Sequence, residues 1–240
     1  MGDKVYPNVT EACLKIFKHY GIGVSMPSGL ACCGIPALAS GDADSFKKMA
    51  AYNLDILGKL EFDYVVTACA SCTETIEQFW PRYAEGAQKA TAEKISAKTL
   101  DISAFLVDVI GLEKPAQARV GAEGGRREKV TYHDSCHLAK SLGGRRQPRE
   151  LVKANPECEL IEMREPDTCC GCGGSFTLTH YDISKKIGGR KRENIVASGA
   201  DTVACGCPAC MMQISNMLAL NGDEVKVKHV AELYADSLDK

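Results

Sequence analysis

Two copies of one cysteine motif constrain the fold of this chain more than any other feature. One copy has the sequence CCG at Cys169–Gly171, and a Cys-x-x-Cys motif follows it at Cys207–Cys210. The other copy has CCG at Cys32–Gly34, and a Cys-x-x-Cys motif follows it at Cys69–Cys72. The CCG and Cys-x-x-Cys motifs are separated by 35 residues in the copy that begins at Cys169 and by 34 residues in the copy that begins at Cys32. Such closely matched spacing indicates an internal duplication.

One cysteine of the second copy has no counterpart in the first. Cys136 lies 33 positions before Cys169, whereas the same step back from Cys32 leads to a position before the first residue. We therefore expect the first copy to lack this cysteine because the chain starts too late to include it. The duplication predicts two domains, an N-terminally truncated repeat at 1–118 and a complete repeat at 119–240.

Strand-like and helix-like segments alternate along both halves. Short apolar runs at 62–68, 130–134 and 201–204 are typical of buried strands, and segments with helical periodicity follow them. This order predicts parallel strands joined by crossover helices, and hence an α/β fold of two tandem repeats, each with a small, mostly parallel sheet. The cysteine clusters fall where strands end. We therefore expect them to converge at the carboxyl ends of the strands, where such sheets bind ligands.

Some segments carry weaker signals. Residues 23–31 are predicted to form a strand that leads into the first CCG motif, and 73–80 a helix that ends before Pro81. Residues 91–112 are predicted to be mostly helical, with an aspartate at position 101 as a helix cap. The charged segment 113–129 contains one proline and three glycines, and it is predicted to link the two halves.

Composition narrows the classes of function. The chain has 240 residues, thirteen cysteines and a formal net charge of −2, so it has no basic excess that would attract nucleic acid. It contains no apolar run of about 18 residues that would span a membrane and nothing similar to a signal peptide. We therefore expect a cytoplasmic protein. In that reducing environment clustered cysteines usually bind metal or carry redox chemistry.

The number of cysteines in each half indicates the kind of metal centre. A structural zinc ion takes four ligands in a tetrahedron, and adjacent cysteines are an awkward pair for one small ion. The second half offers five cysteines, which favours an iron–sulfur cluster: Cys136, Cys169, Cys170, Cys207 and Cys210. The first half offers four, for which a cluster, a zinc ion and an empty site all stay open: Cys32, Cys33, Cys69 and Cys72.

The other cysteines receive more ordinary interpretations. Cys13 lies on the apolar face of a helix and is predicted to be a core residue. Cys158 is predicted to lie at the end of a strand, also in a structural role. Cys172 and Cys205 stand beside candidate ligands, and they are either neighbours of the metal centre or alternative ligands.

Polar residues near the motifs give weaker signals still. His133 and His137 flank Cys136 and are predicted to make structural hydrogen bonds. The arginines at 145, 146 and 149 are predicted to lie in a solvated loop, with an acidic partner as the alternative. The charged run at 185–192 is predicted to form a solvent-exposed helix face.

The full cysteine pattern resembles the cysteine-rich CCG domain. This domain occurs in the B subunit of heterodisulfide reductase, in the iron–sulfur subunits of glycolate oxidase and anaerobic glycerol-3-phosphate dehydrogenase, and in lactate utilization protein A. The segments YHDSCHL at 132–138, CCGCGG at 169–174 and KHVAE at 228–232 are most similar to the last of these. The resemblance implies that the five cysteines of the second half bind a [4Fe–4S] cluster, which is non-cubane in heterodisulfide reductase. The four cysteines of the first half match the first repeat of the domain.

The resemblance also implies a function. It predicts an electron-transfer subunit of a cytosolic 2-hydroxy-acid, lactate-type oxidoreductase complex, whose partners are flavin or iron–sulfur subunits. The chain has neither a Gly-x-Gly-x-x-Gly motif nor a Cys-x-x-Cys-x-x-Cys run, so other chains would supply those redox groups. One alternative is a subunit that reduces a disulfide at its cluster, as in heterodisulfide reductase. A second is a zinc-stabilised scaffold without redox function. Whether the chain catalyses a reaction by itself stays open.

Overall fold

Two parallel β-sheets organise the chain, one for each copy of the cysteine motif. The computed structural model describes residues 2–112 and 126–238. The first sheet pairs strands β1 and β2, and the second has the strand order β4-β3-β5-β6, with every pairing parallel. The predicted α/β class is confirmed. The strands are β1 at Val65–Thr67, β2 at Thr99–Asp101, β3 at Glu128–His133, β4 at Cys158–Leu160, β5 at Thr202–Cys205 and β6 at Lys226–His229.

Helices fill the intervals between strands. The first half contains α-helices at Gly2–Val5, Pro7–His19, Ile35–Ala39, Ala43–Leu57, Ala70–Glu74, Trp80–Tyr83, Gln88–Ser96 and Ile102–Ala104. The second half contains α-helices at Arg146–Ala154, Phe176–Thr179, Tyr181–Ala197, Pro208–Ala219 and Val230–Ser237. Wider π-helical turns, which are frequent near functional sites, occur at Thr75–Phe79, Phe105–Ile110 and His137–Ser141.

The two sheets differ in the partners of their corresponding strands. β1 and β5 correspond because each leads into a Cys-x-x-Cys motif. β5 lies between β3 and β6, whereas β1 pairs with β2 alone among the described residues. The described part of the first half therefore has no equivalent of β3, the strand that leads to Cys136. This difference explains why the lone cysteine has no counterpart there.

Two apolar cores combine residues of both halves, and another, around Phe46 and Trp80, lies within the first half. Ile16 and Leu106 of the first half pack in one cluster with Tyr132, Leu151 and Tyr234 of the second half. This core lies under the helices Pro7–His19 and Val230–Ser237, which pack against each other. The proposed division at 118/119 falls outside the described residues, so the domain boundary stays a prediction.

A second core surrounds the cysteines. It combines Val9 and Ala70 of the first half with Leu138, Ile195 and Ile214 of the second half. Cys170, Cys207 and Cys210 pack among these side chains and are buried, whereas Cys136 is partly exposed and Cys169 is exposed. A metal centre here would therefore lie in surroundings of low dielectric constant, where charges interact strongly.

The strand predicted at 23–31 is wrong. The segment contains a turn, and Gly29 adopts a φ of +90°. No strand of the described residues runs beside it, and Asn53 satisfies its backbone instead. The Asn53 side chain accepts a hydrogen bond from the Ala31 N–H at 2.8 Å and donates one to the Cys32 carbonyl at 3.0 Å. The side-chain amide of Asn53 thus makes the backbone hydrogen bonds that a neighbouring strand was expected to make.

Three other local predictions need correction. The helix predicted to stop before Pro81 continues to Tyr83, because this proline lies in the first turn of Trp80–Tyr83, where its missing N–H costs little. The region 91–112 is interrupted by β2, and the predicted cap is confirmed because Asp101 accepts a hydrogen bond from the Ser103 N–H at 2.8 Å. Most of the predicted linker lies outside the described residues, but Glu128 and Lys129 belong to β3.

Within the described residues, no helix combines the length and apolar character needed to cross a lipid bilayer.

Candidate metal centre

Both Cys-x-x-Cys motifs lie at the start of a helix. Cys69 and Cys207 are the cap residues of Ala70–Glu74 and Pro208–Ala219, with φ values of −157° and −147°. Cys72 and Cys210 therefore fall in the first turn, on the same side as the cap. The positive end of the helix dipole favours thiolate at these positions. The Cys210 N–H also donates a hydrogen bond to the Cys207 sulfur.

Both CCG motifs form the same sharp turn. Gly34 and Gly171 have φ values of +94° and +91°, a conformation that residues with a Cβ atom rarely adopt. A Cβ atom on Gly171 would lie 2.6 Å from the Ser184 carbonyl oxygen. In this turn the Gly171 N–H donates a hydrogen bond to the Cys169 sulfur at 3.3 Å. The Gly34 N–H makes the same contact with Cys32.

The thiols of both halves meet in one hydrogen-bonded series. Convergence at the strand ends was expected within each half, but the structure also joins the two groups, because Cys69 contacts Cys207. The Ala70 N–H supports this junction by donating to the Gly206 carbonyl at 3.0 Å. Cys136 lies at the far end of the series, close to Cys169. The contacting thiols are, in order, Cys32, Cys33, Cys72, Cys69, Cys207, Cys210, Cys170 and Cys169.

Three thiols of the series favour the ionised form. The pKa values of Cys33, Cys170 and Cys207 are lowered because each sulfur is stabilised by hydrogen bonds from two neighbouring thiols. For Cys33 the stronger contact is with Cys32 and the weaker one with Cys72. For Cys170 the contacts are, in the same order, with Cys169 and Cys210. For Cys207 they are with Cys210 and Cys69. Since thiolate is the form of cysteine that binds metals, the series is suited to metal ligation.

A buried imidazole borders the thiols of the second half. His133 is only 1% exposed, and no nitrogen or oxygen atom of the described residues bonds to its ring, which contacts the sulfur of Cys170 instead. One ring nitrogen and the sulfurs of Cys170 and Cys210 all lie within 4.8 Å of one another. A buried polar group without a partner is costly, so this arrangement fits a group bound between the thiols and the imidazole. The hydrogen bond with Cys170 agrees with the structural role predicted for His133, which stays a prediction.

His137 links the two halves beside Cys136. Its imidazole hydrogen-bonds to the Glu74 carboxylate, which is buried. A hydrogen bond with Cys136 and the contact with Glu74 together raise the pKa of His137 to about 9, against the opposing effect of burial. The sequence predicted hydrogen bonding for His137 but gave no indication of Glu74, because that residue lies in the other half of the chain.

The arginines near this site lie at the start of a helix and beside it. Arg149 belongs to the helix Arg146–Ala154 and donates two hydrogen bonds to Asp134, at 2.8 and 3.1 Å. Arg145 contacts the same carboxylate at 3.5 Å and that of Asp167 at 3.3 Å. The predicted solvated loop is therefore wrong for Arg149, whereas Arg145 and Arg146 are exposed to solvent as predicted. Arg145 and Arg149 neutralise carboxylates beside the thiol series.

The predicted solvent-exposed face at 185–192 also requires a correction. Lys185, Lys186 and Arg190 are exposed as predicted, but the Lys191 side chain is completely buried. Nothing in the sequence indicates this burial, because Lys191 lies among charged residues, of which Arg190 is exposed and Arg192 partly exposed.

The four remaining cysteines do not join the thiol series. Cys13 packs against the first core, and Cys158 lies in that core at the start of β4, so both structural predictions are confirmed. Burial raises the pKa of Cys13 to about 12 and that of Cys158 to about 11. Burial also raises the pKa of Cys172 and Cys205, which border the series without a hydrogen bond to another thiol.

The fold and the thiol series define a class of protein, an α/β protein with duplicated cysteine motifs, in which each Cys-x-x-Cys follows a parallel strand. The family model described as CCG, cysteine-rich domain, matches residues 1–77 and 130–215. These two segments contain all nine candidate ligands, and together they cover more than half of the chain. The chain belongs to the CCG cysteine-rich domain family.

Relatives at about 30% identity span nearly the whole chain. The B subunit of fumarate reductase (CoM/CoB) from Methanothermobacter marburgensis is 32% identical over 230 residues, which are 95% of this chain and 42% of the relative. Lactate utilization protein A from Bacillus subtilis is 31% identical over 232 residues, 96% of this chain and 94% of the relative. An uncharacterized iron–sulfur protein from Methanococcus maripaludis is 30% identical over 211 residues, 88% of this chain and 38% of the relative.

The relatives fall into two size classes. The chain matches almost the full length of lactate utilization protein A but less than half of the other two relatives. The family and the iron–sulfur relative together support an iron–sulfur redox subunit.

Proposed function

We propose that the chain is the iron–sulfur electron-transfer subunit of a 2-hydroxy-acid oxidoreductase complex of the lactate type. The observation that carries the proposal is the continuous series of contacting thiols across both halves. The similarity to lactate utilization protein A along nearly the full length of both chains supports the substrate class.

The proposed ligands of the second-half cluster are five cysteines on three loops. Cys136 follows β3, Cys169 and Cys170 belong to the CCG turn, and Cys207 and Cys210 begin the helix after β5. A [4Fe–4S] cluster bound there supplies reversible one-electron chemistry. The chain's own contribution is to hold the thiolates, to exclude water with its apolar core and to offer backbone N–H groups to the sulfurs.

The first half provides four cysteines for a second centre: Cys32, Cys33, Cys69 and Cys72. We propose a second cluster there, and a zinc ion is the alternative. The contact between Cys69 and Cys207 supports a cluster, because it would place the two centres next to each other.

Other subunits would complete the reaction. Oxidation of a 2-hydroxy acid to a 2-oxo acid releases two electrons and two protons at a partner subunit. The electrons would pass singly through this chain to a flavin or iron–sulfur acceptor, and the protons would pass to solvent. The thirteen free cysteines support a reducing compartment, and we propose the cytoplasm.

Metal analysis of cysteine variants tests this assignment. We expect anaerobically purified wild-type chain to contain iron and sulfide and to lose visible absorption when dithionite is added. Cys170→Ala is expected to lose most of the iron of the second-half cluster, whereas Cys158→Ala, which changes a buried cysteine outside the series, retains it. Cys33→Ala reports on the first half in the same way. Equal iron in Cys170→Ala and Cys158→Ala would refute the ligand assignment, and zinc without visible absorption would favour a structural scaffold.

A second candidate function is the reduction of a disulfide at the cluster. The exposure of Cys169 favours it, because this thiol would let a disulfide approach the second-half centre from solvent. The pre-reduced chain mixed with a small disulfide separates the two functions. Two thiols released per disulfide at a useful rate by the chain alone would favour catalysis, and no release would favour electron transfer.

A further inference from the structure

Lys191 is the one lysine or arginine of the described residues whose side chain is buried. It lies on the helix Tyr181–Ala197, and its side chain is completely inaccessible to solvent. Its ammonium group donates hydrogen bonds to the carbonyl oxygens of Glu165 and Pro166, at 2.9 and 3.1 Å. It also lies 3.8 Å from the Met163 sulfur. All three partners are uncharged, so hydrogen bonding leaves the charge of Lys191 without a counter-ion.

Burying an ammonium group without an opposite charge is expensive, because the group loses its hydration. Burial accordingly lowers the pKa of Lys191, while Cys170, Cys205, Asp134 and Asp167 act in the opposite direction. These four groups, two thiols and two carboxyl groups, surround the ammonium.

The two carboxylates among them already have cationic partners. Asp134 receives two hydrogen bonds from Arg149, and Asp167 pairs with Arg145. The other two groups, Cys170 and Cys205, lie in the second core together with Met163, whose sulfur contacts the Lys191 ammonium. Cys170 belongs to the CCG motif and is a proposed ligand. A cluster bound by the thiols of the second half would therefore lie beside the charge of Lys191.

We propose that Lys191 is the buried counter-charge of the second-half metal centre and favours its reduced state. This inference rests on the proposed iron–sulfur function. A cluster held by several thiolates is anionic, and reduction makes it more negative. A fixed positive charge in a region of low dielectric constant therefore stabilises the reduced form more than the oxidised form. Lys191 is a positioning residue. It acts on the metal centre through the ligand loop and through the electric field of its charge, and it does not bind the metal itself.

Three variants distinguish the effect of the Lys191 charge from the effect of its side-chain shape. Lys191→Gln removes the charge and keeps a hydrogen-bond donor, whereas Lys191→Arg keeps the charge. Lys186→Gln is the matched control, because it removes a lysine charge from the exposed side of the same helix. Each variant is purified anaerobically as the full chain, its iron is counted, and its midpoint potential is measured by spectroelectrochemical titration.

We expect Lys191→Gln to bind iron and to show a more negative midpoint potential. The expected change is at least a tenfold fall in the equilibrium constant for reduction, which is about 59 mV for one electron. Lys191→Arg is expected to restore most of the potential, and Lys186→Gln to leave it almost unchanged. If Lys191→Gln loses its iron and Lys191→Arg retains it, the counter-charge is required for binding itself, which also supports the proposal.

Two results would overturn the proposal while leaving the proposed function intact. One is a midpoint potential of Lys191→Gln that equals that of Lys186→Gln. The other is equal iron loss in Lys191→Gln and Lys191→Arg, which would mean that shape alone matters. A wild-type chain without iron would instead overturn the proposed function, and this inference with it.

Discussion

The turn at Gly171 offers a sharp test of how the ligand loop is built. In Gly171→Ala the new methyl group would lie 2.6 Å from the Ser184 carbonyl oxygen and 3.1 Å from the Gly188 backbone nitrogen. Both are backbone atoms of the following helical region, so no side-chain rotation can relieve the overlap. The left-handed conformation adds roughly 1–2 kcal/mol for a residue with a Cβ atom. Overpacking adds about 1–3 kcal/mol. We expect Gly171→Ala to reduce the free energy of unfolding by about 2–5 kcal/mol.

The assay is urea unfolding of the metal-free, reduced chain, followed by circular dichroism. Iron content is measured on a parallel anaerobic preparation, because a displaced loop moves Cys169 and Cys170. Gly189→Ala is the control, since this glycine lies inside the helix Tyr181–Ala197 with open space around its Cα. We expect it to stabilise the chain by up to about 1 kcal/mol. A cost below about 0.5 kcal/mol for Gly171→Ala would refute the reasoning.

Two further substitutions test buried polar contacts. The Trp80 indole donates a hydrogen bond to the Cys33 carbonyl at 2.9 Å, so Trp80→Phe leaves a buried acceptor unpaired and should cost about 2–3 kcal/mol in urea unfolding. A cost under about 0.5 kcal/mol would mean that this bond does not support the first CCG turn. Asp101→Asn tests a buried acid, because burial raises the pKa of Asp101 from 3.8 to about 6. The folded state then binds the proton more tightly than the unfolded state, so this carboxyl lowers stability as the pH rises from about 4 to 6. We expect the stability difference between Asp101→Asn and wild type to move by about 3 kcal/mol in favour of the variant across this window, at 1.36 kcal/mol per pH unit. A difference that is constant with pH would contradict this result.

The sequence predicted most of the fold because its signals are local and repeated. Apolar runs and helical periodicity identified most of the strands and helices, and the duplicated spacing placed the thiols of each half at strand ends. β2 was missed because a strand of three residues has too little alternation to be recognised. The strand predicted at 23–31 failed for another reason. Apolar composition cannot show whether a neighbouring strand exists to pair with a segment.

The residues of the candidate site could be predicted from the sequence, but the contacts between the two halves could not. The nine candidate cysteines were identifiable from their motifs, and their role as ligands stays a proposal. The contact between Cys69 and Cys207 depends on how the two halves pack, which no local pattern encodes. The burial of Lys191 was hidden for the same reason. In sequence it is one of several consecutive charges, and only the packing of its helix against the ligand loop distinguishes it from Lys185 and Lys186.

Anaerobic reductive titration of the wild-type chain tests the electron-transfer function most directly. Iron and sulfide are counted on the same sample, so that the electrons taken up can be expressed per cluster. We expect about four irons and four sulfides for each loaded half, with reversible uptake of about one electron per cluster as the visible absorption falls. A chain that contains stoichiometric zinc, absorbs no visible light and takes up no electrons would contradict the function proposed here.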